Sequence, residues 1–428
     1  NRLPPSHVVI ALNILSPSTT RVERDDGGKK NGTRDEKSIH LHLIPTPRTL
    51  EECGVPQLNK RWTDDCLETP LAVEKINPEV IRPASRRKVI HLHEDVWFAK
   101  REIVTSRLLA RTGRIPRRIF ARKTVSKRID AATATVFLQE HHLWGATRAK
   151  YYYGLYYPVS RNDDDSDGGE LVAVATFSSR RNVWRGGGSR DSNTSSSISR
   201  PFRSHELLRF CSRRDTAVVG GISKLCKKFI SEARPDDIVT VIDRDWGDAS
   251  GWHSLGFETV ATMDPIVMAV NPNEPAVRRH LVGAGISSCP KLTTGGNKSD
   301  DGGGCDYNGG RMGLPIETLE KLDAARTVRE ALKDCLGIDG YFPVYDTGVD
   351  RLLKVVSQDP QMHQLSAREL WKHSKPNYAT KYYSPNAGIS LLLEYAAAPL
   401  STTLLSDTTD SPRTLDSSSK VDSLASSL

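Results

Sequence analysis

The stretch from Val218 to Phe257 most narrowly limits what this chain can fold into, because a Gly-Gly turn, an amphipathic helix and an apolar strand follow one another there. Ile222, Leu225, Cys226, Phe229 and Ile230 recur at helical spacing, so one stripe of that helix must be buried. Arg234-Pro235 stops the helix, since proline has no N–H and clashes with the preceding turn. Ile238-Val239-Thr240-Val241-Ile242 is apolar and β-branched, which predicts an interior strand, and the block closes on Ser254-Leu255-Gly256-Phe257. A Gly turn that leaves backbone amides free at a helix N-terminus, held between two strands, is a ready anion site. The expectation is a phosphate-bearing ligand in a notch at that turn.

Around this block, Val89 to Leu92 is strand-like, Trp97 to Ala110 has helical periodicity, and Ile119 to Ile129 alternates as one strand. Asp130 caps a helix from Ala131 to His142, and three strands follow at Tyr151–Tyr157, Leu171–Phe177 and His205–Cys211. Leu314 to Leu336 reads as a helix, and Gly340 to Val356 as strand, turn and strand. Three successive antiparallel strands followed by a crossover helix predict an α/β (α+β) fold: a mixed, mainly antiparallel sheet with flanking helices. The expected organisation is a poorly structured region 1–85 with strand candidates at Val8–Leu12 and His40–Ile44, a basic helical arm 86–117, a sheet domain 118–270, a Gly-rich insert 271–313, a helix and small strand unit 314–385, and a disordered Ser/Thr-rich tail 386–428.

The formal net charge of +8 over 428 residues hides a local excess. Between Arg86 and Arg128 there are fourteen Lys or Arg against three acids, a net of +11 in one segment. Arg107, Arg111, Arg114, Arg117, Arg118, Arg122 and Lys123 recur too persistently for one solvated face, and such arrays bind phosphate backbones through counterion release. Tyr151, Tyr152 and Tyr153 downstream are placed to stack on unpaired bases, so DNA or RNA is an expected partner. The seven cysteines are scattered without a C-x-x-C pair, which reads as reduced thiols in an intracellular protein and no zinc site. No apolar run reaches the roughly 18 residues a membrane helix needs, so no membrane partner is expected. The first residue is Asn1 rather than Met, and the chain reads as a fragment whose targeting segment could lie upstream.

The predicted element order over about Arg118 to Val270 resembles the acyl-CoA N-acyltransferase (GNAT) fold. A second resemblance rests on residues. His91-Leu92-His93-Glu94-Asp95-Val96-Trp97, Glu102 to Leu108, Ala121-Arg122-Lys123, Gly154-Leu155-Tyr156-Tyr157, Glu206 to Cys211, Gly220 to Leu225 and Asp243-Arg244-Asp245-Trp246 look like the C-terminal accessory region of phage-encoded homing-endonuclease-like proteins. The nuclease core that precedes this region in the phage proteins has no intact counterpart here. His91, His93, Glu94 and Asp95 lack the acidic partners of a two-metal site, so no metal is expected.

The acyltransferase resemblance implies acyl transfer from acetyl-CoA to an amine, with Val219, Gly220, Gly221, Ile222, Ser223 and Lys224 around the CoA pyrophosphate. It also implies a general base on the strand before the Gly turn, where Glu206 lies, with Asp243 and Asp245 after the next strand; the plainer alternative for Asp243-Arg244-Asp245 is a structural ion network. Alternation puts Glu206 on the face of Leu208 and Phe210, an apolar setting suited to a base; the plainer alternative pairs it with Arg209 or Arg244. The family's thiolate-protonating Tyr is replaced by Trp252, leaving the adjacent His253 as the candidate acid. Without catalysis, the same domain reads as a nucleic-acid-binding module.

Overall fold

The computed structural model describes residues 7–15, 36–54, 56–68, 88–158, 169–185, 200–247, 249–281, 313–363, 365–372 and 386–398. The acidic loop 162–168, the insert 186–199, most of the Gly-rich insert, the loop 375–378 and the tail beyond 398 lie outside the described residues.

In chain order, β1 (Val8–Leu15), β2 (Glu36–Ile44), α1 (Pro56–Glu68) and β3 (Lys88–His93) come first, followed by α2 (Glu94–Arg111). Next are β4 (Arg117–Phe120), a 3-10 turn at Ala121–Lys123, β5 (Val125–Arg128) and α3 (Ala131–His141). The strands β6 (Tyr151–Tyr157), β7 (Glu170–Phe177), β8 (Arg181–Val183), β9 (Phe202–Ser212) and β10 (Thr216–Val219) lead into α4 (Gly221–Ala233). After β11 (Asp237–Asp243), α5 (Ser250–His253), β12 (Glu258–Thr262), β13 (Val267–Val270) and β14 (Arg278–His280) come α6 (Ile316–Ala324) and a π-helix at Glu330–Gly337. β15 (Phe342–Tyr345), β16 (Val349–Val355), α7 (Ala367–Lys372) and α8 (Ala387–Ala397) complete the order.

The class is α+β with mixed, mostly antiparallel sheets. The main sheet runs β12-β16-β11-β9-β7-β6-β5, with β8 also on β9, and only β9 and β11 in it are parallel. Alternation sorts its side chains to two faces. Ala173, Ala175 and Phe177 face α4, whereas Val174 faces Ala134, Phe137 and Leu138 of α3. Asp130 caps α3 by accepting from the Thr133 amide at 2.8 Å. The buried stripe of α4 is Leu225, Cys226 and Phe229, and Arg234 in the left-handed region ends the helix just before Pro235.

Several expectations change with tertiary context. The span Ile119–Ile129 is two strands: β4 pairs with β10, β5 pairs with β6, and the 3-10 turn carries the chain from one sheet to the other. The two strands of Gly340–Val356 also part, β15 joining β13 and β16 entering the main sheet between β11 and β12. The main sheet therefore does not close within 118–270. Within region 1–85 the strand candidates Val8–Leu12 and His40–Ile44 do form strands, β1 and β2, which make a three-stranded layer with β3, so this part of the region is ordered. The helix expected over Leu314–Leu336 breaks at Ala325, and the start of the expected tail is α8, whose Ile389, Leu392 and Ala396 are fully buried against α6 and the π-helix.

Phe229 anchors α4 to the sheet, stacking on Phe177 at 3.9 Å between ring centroids with Tyr151, Tyr153 and His205 edge-on around it. Phe229→Ala is expected to cost about 3–5 kcal/mol, from lost transfer energy plus the cavity left behind. Urea denaturation should show this as a lower midpoint at unchanged slope.

Candidate nucleic-acid interface

The turn at Gly220-Gly221 is built as the sequence implies. Gly220 holds φ +76°, a conformation that favours glycine, and Gly221 is closely packed, since a Cβ there would stand 3.1 Å from Val218 Cγ1. The first hydrogen bond of α4 runs from the Lys224 amide to the Gly220 carbonyl at 3.0 Å. The amides of Gly221, Ile222 and Ser223 precede it, and no side chain caps them. Ile222 packs on the core, and the Lys224 ammonium donates to the carbonyls of Ala121, at 2.9 Å, and Thr124. Lys224 therefore braces the 3-10 turn instead of facing a ligand.

The turn does not open between the two parallel strands of the main sheet. It follows β10, which runs parallel to β4 in the register Thr216↔Arg117 to Val219↔Phe120. That pairing sets Gly220 beside Ala121, whose Cβ lies 3.8 Å from where a Gly220 Cβ would stand. Two features far apart in sequence, the helix N-terminus and the basic segment, are thus one surface.

On this surface the basic residues divide. Arg118, Arg122 and Lys123 are exposed and make no ion pair among the described residues. Arg122 lies 5.0 Å over the ring of Phe120. Arg117 is tied to Glu170 at 2.6 Å and stacks on Tyr157, and Arg114 is exposed in the turn after α2. Lys127 over Tyr156 and Arg128 over Tyr151 continue the pattern along β5. From Arg114 to Arg128 the sequence carries seven cations and no acid. Of the three tyrosines expected to stack on bases, Tyr153 is fully buried and donates to Glu232, and Tyr152 bonds to Ala149.

Arg107 and Arg111 do not belong to this surface. Both lie on α2, one helical turn apart; Arg107 is half-buried and Arg111 is exposed. The Arg107 guanidinium stacks 4.6 Å over Trp246 beside Asp243, where burial lowers its pKa to about 10, and that of Arg111 lies against Gly247.

The acyltransferase candidates sit elsewhere. β9 and β11 pair only from Ser204↔Asp237 to Leu207↔Thr240, and then part. Asp243 stands three residues past the last pair. Its carboxylate accepts from the Asp245 amide at 3.0 Å and the Trp144 indole at 3.1 Å, and burial, with Asp245 alongside, pushes its pKa up to about 7. Trp144 bonded to Asp243 and Arg209 bonded to the Gly145 carbonyl together bridge this mouth. Glu206 is not in an apolar setting: it pairs with Arg181 at 2.8 Å, while Arg244 pairs with Asp64 and Arg209 bonds to the Gly145 carbonyl. A register shift after Leu207 breaks the alternation, so Leu207 and Phe210 both pack toward α4. His253 is exposed and bonds to Thr259 at 3.0 Å.

A buried polar row escaped sequence reasoning, because its members come from α1, β2, β3 and the residue before β1. Thr63 Oγ1 donates to the Asn59 carbonyl at 3.0 Å and so accepts from His91 Nε2 at 2.8 Å. His42 Nδ1 must then donate to His91 Nδ1 at 2.9 Å, and His7 Nδ1 to His42 Nε2 at 3.0 Å. The repeated His-x-His of His40–His42 and His91–His93 was the available signal. Among the described residues, no group of three or more His, Cys, Asp or Glu is arranged to hold a metal ion, and no helix is long and apolar enough to cross a membrane.

No protein-family model matches this chain, and no curated protein matches it.

Burial lowers the His91 pKa to about 4, with His93 and Arg244 opposing protonation. The unfolded state takes up that proton near pH 6.5, so the stability from neutral His91 is present above pH 6.5 and is lost as pH falls toward 4. The unfolding free energy is expected to fall between pH 7 and 5, by up to about 1.4 kcal/mol per pH unit for this group, and the melting temperature with it. His91→Gln should flatten that dependence in calorimetric scans.

Proposed function

We propose that this chain holds nucleic acid by its phosphate backbone, on the surface formed by β4, the Ala121–Lys123 turn and the start of α4. One observation carries this reading: the parallel β4–β10 pair sets the uncapped amides of Gly221, Ile222 and Ser223 beside three cations that no described acid neutralises. Amides at a helix N-terminus and unpaired Arg or Lys select the same ligand group, a phosphate oxygen. Binding should weaken steeply with salt, since each neutralised phosphate releases condensed counterions. Arg118→Glu, Arg122→Glu and Lys123→Glu together are expected to lower affinity for a labelled duplex at least tenfold and to reduce the salt slope by about 3, one per contact. Fluorescence anisotropy at several salt concentrations measures both; an unchanged slope in the triple variant ends this reading.

A second reading, acyl transfer from acetyl-CoA to an amine, is supported by the strand order of the main sheet and by Asp243. A carboxyl with a pKa near 7 beyond the last β9–β11 pair is matched to general-base work at neutral pH. Trp144 crosses the same mouth, so acyl-CoA would have to displace its indole. Calorimetric titration with acetyl-CoA decides the matter: saturable heat that Asp243→Asn leaves intact, with loss of acetyl transfer, supports catalysis, and no heat removes it.

A further inference from the structure

The basic surface carries more apolar area than backbone binding requires. Phe120, at the end of β4, is 43 % exposed; Val219, its partner in register on β10, is also 43 % exposed, and Val125, at the start of β5, 50 %. Phe120 and Arg118 are two residues apart on one strand and so project to the same side, with the Arg122 guanidinium over the Phe120 ring. The result is an aromatic platform ringed by unpaired cations. A duplex keeps its bases stacked inside and would leave this apolar patch wet, whereas a single strand offers phosphates to the cations and a base face to the ring.

Resting on the backbone-binding reading above, we infer that the preferred partner is single-stranded nucleic acid, with one base stacked on Phe120 against Val219 and the flanking phosphates on Arg118 and Lys123. Charge complementarity selects this occupant over a protein or a second copy of the chain, because Arg118, Arg122 and Lys123 are exposed without an ion pair among the described residues and the acid beside them, Glu170, is already paired with Arg117 and Arg213. Arg122 serves both functions, its guanidinium plane extending the platform and its charge meeting the backbone.

The test is fluorescence anisotropy with the full chain, using labelled oligothymidylate of about 15 nucleotides, a length within the usual site sizes of such surfaces, and a duplex of equal length. The single strand is expected to bind at least tenfold more tightly. Phe120→Ala should weaken single-strand binding by about fivefold to 150-fold, the loss of one base stack, with duplex affinity and salt slope unchanged. Phe120→Trp should restore it, and because residue 120 is exposed, both variants should melt near the parent temperature. Equal affinity for the two nucleic acids, or a Phe120→Ala effect shared by both, overturns the single-strand assignment and leaves the backbone reading standing. Binding to neither overturns both. Anionic phospholipid vesicles serve as the remaining arm: capture there that outcompetes oligothymidylate also overturns the inference.

Discussion

The turn from Asp243 to Trp246 holds the molecule together, and its constraint is that buried charge must be paired. Arg244 reaches Asp64 on α1, Asp350 on β16 and the Thr347 carbonyl. Asp245 accepts from the amide and hydroxyl of Thr347, at 2.9 and 2.8 Å, and lies 3.6 Å from His93 on β3. Asp243 takes the Trp144 indole. Three charged side chains in a row therefore tie the N-terminal three-stranded layer, the main sheet and the loop after α3 into one body. Removing one partner would leave the others buried and unpaired, which is far costlier than the pair itself is stabilising.

The same turn accounts for the position of the basic surface. Arg107, stacked on Trp246, and Arg111, against Gly247, are both held at the C-terminal end of α2. The chain leaves α2, turns at Arg114 and runs as β4 alongside β10, so the exposed cations beside the Gly220 turn are those after α2. The mouth between β9 and β11 is spent on the Trp144–Asp243 bond. Exposed cations and uncapped helix amides are thus concentrated at the β4–β10 edge.

Local elements were legible in the sequence where one strong pattern dominated. The stripe of α4, the Asp130 cap, the Arg234-Pro235 stop and the apolar run of β11 are each fixed by neighbours within a few residues, and each forms as expected. Misreadings arose where pairing partners lie far away. Ile119–Ile129 alternates like one strand, yet its halves serve different sheets. The Glu206 face followed simple alternation until a register shift in β9 redirected Phe210. Arg185, at the edge of a stretch that reads as a polar insert, is almost fully buried and bonded to Asp237 at 2.5 Å.

By itself, the sequence determined the α+β class, the glycine turn opening α4 and the excess of cations between Arg86 and Arg128, because composition and short-range periodicity act on each segment independently. Only tertiary structure decided which cations face solvent, that the glycine turn lies beside them, and that Asp243 is drawn into a bond with Trp144. Those outcomes depend on strand pairings across about a hundred residues, whose register is set by burial on both faces of a sheet and leaves no mark on neighbouring residues.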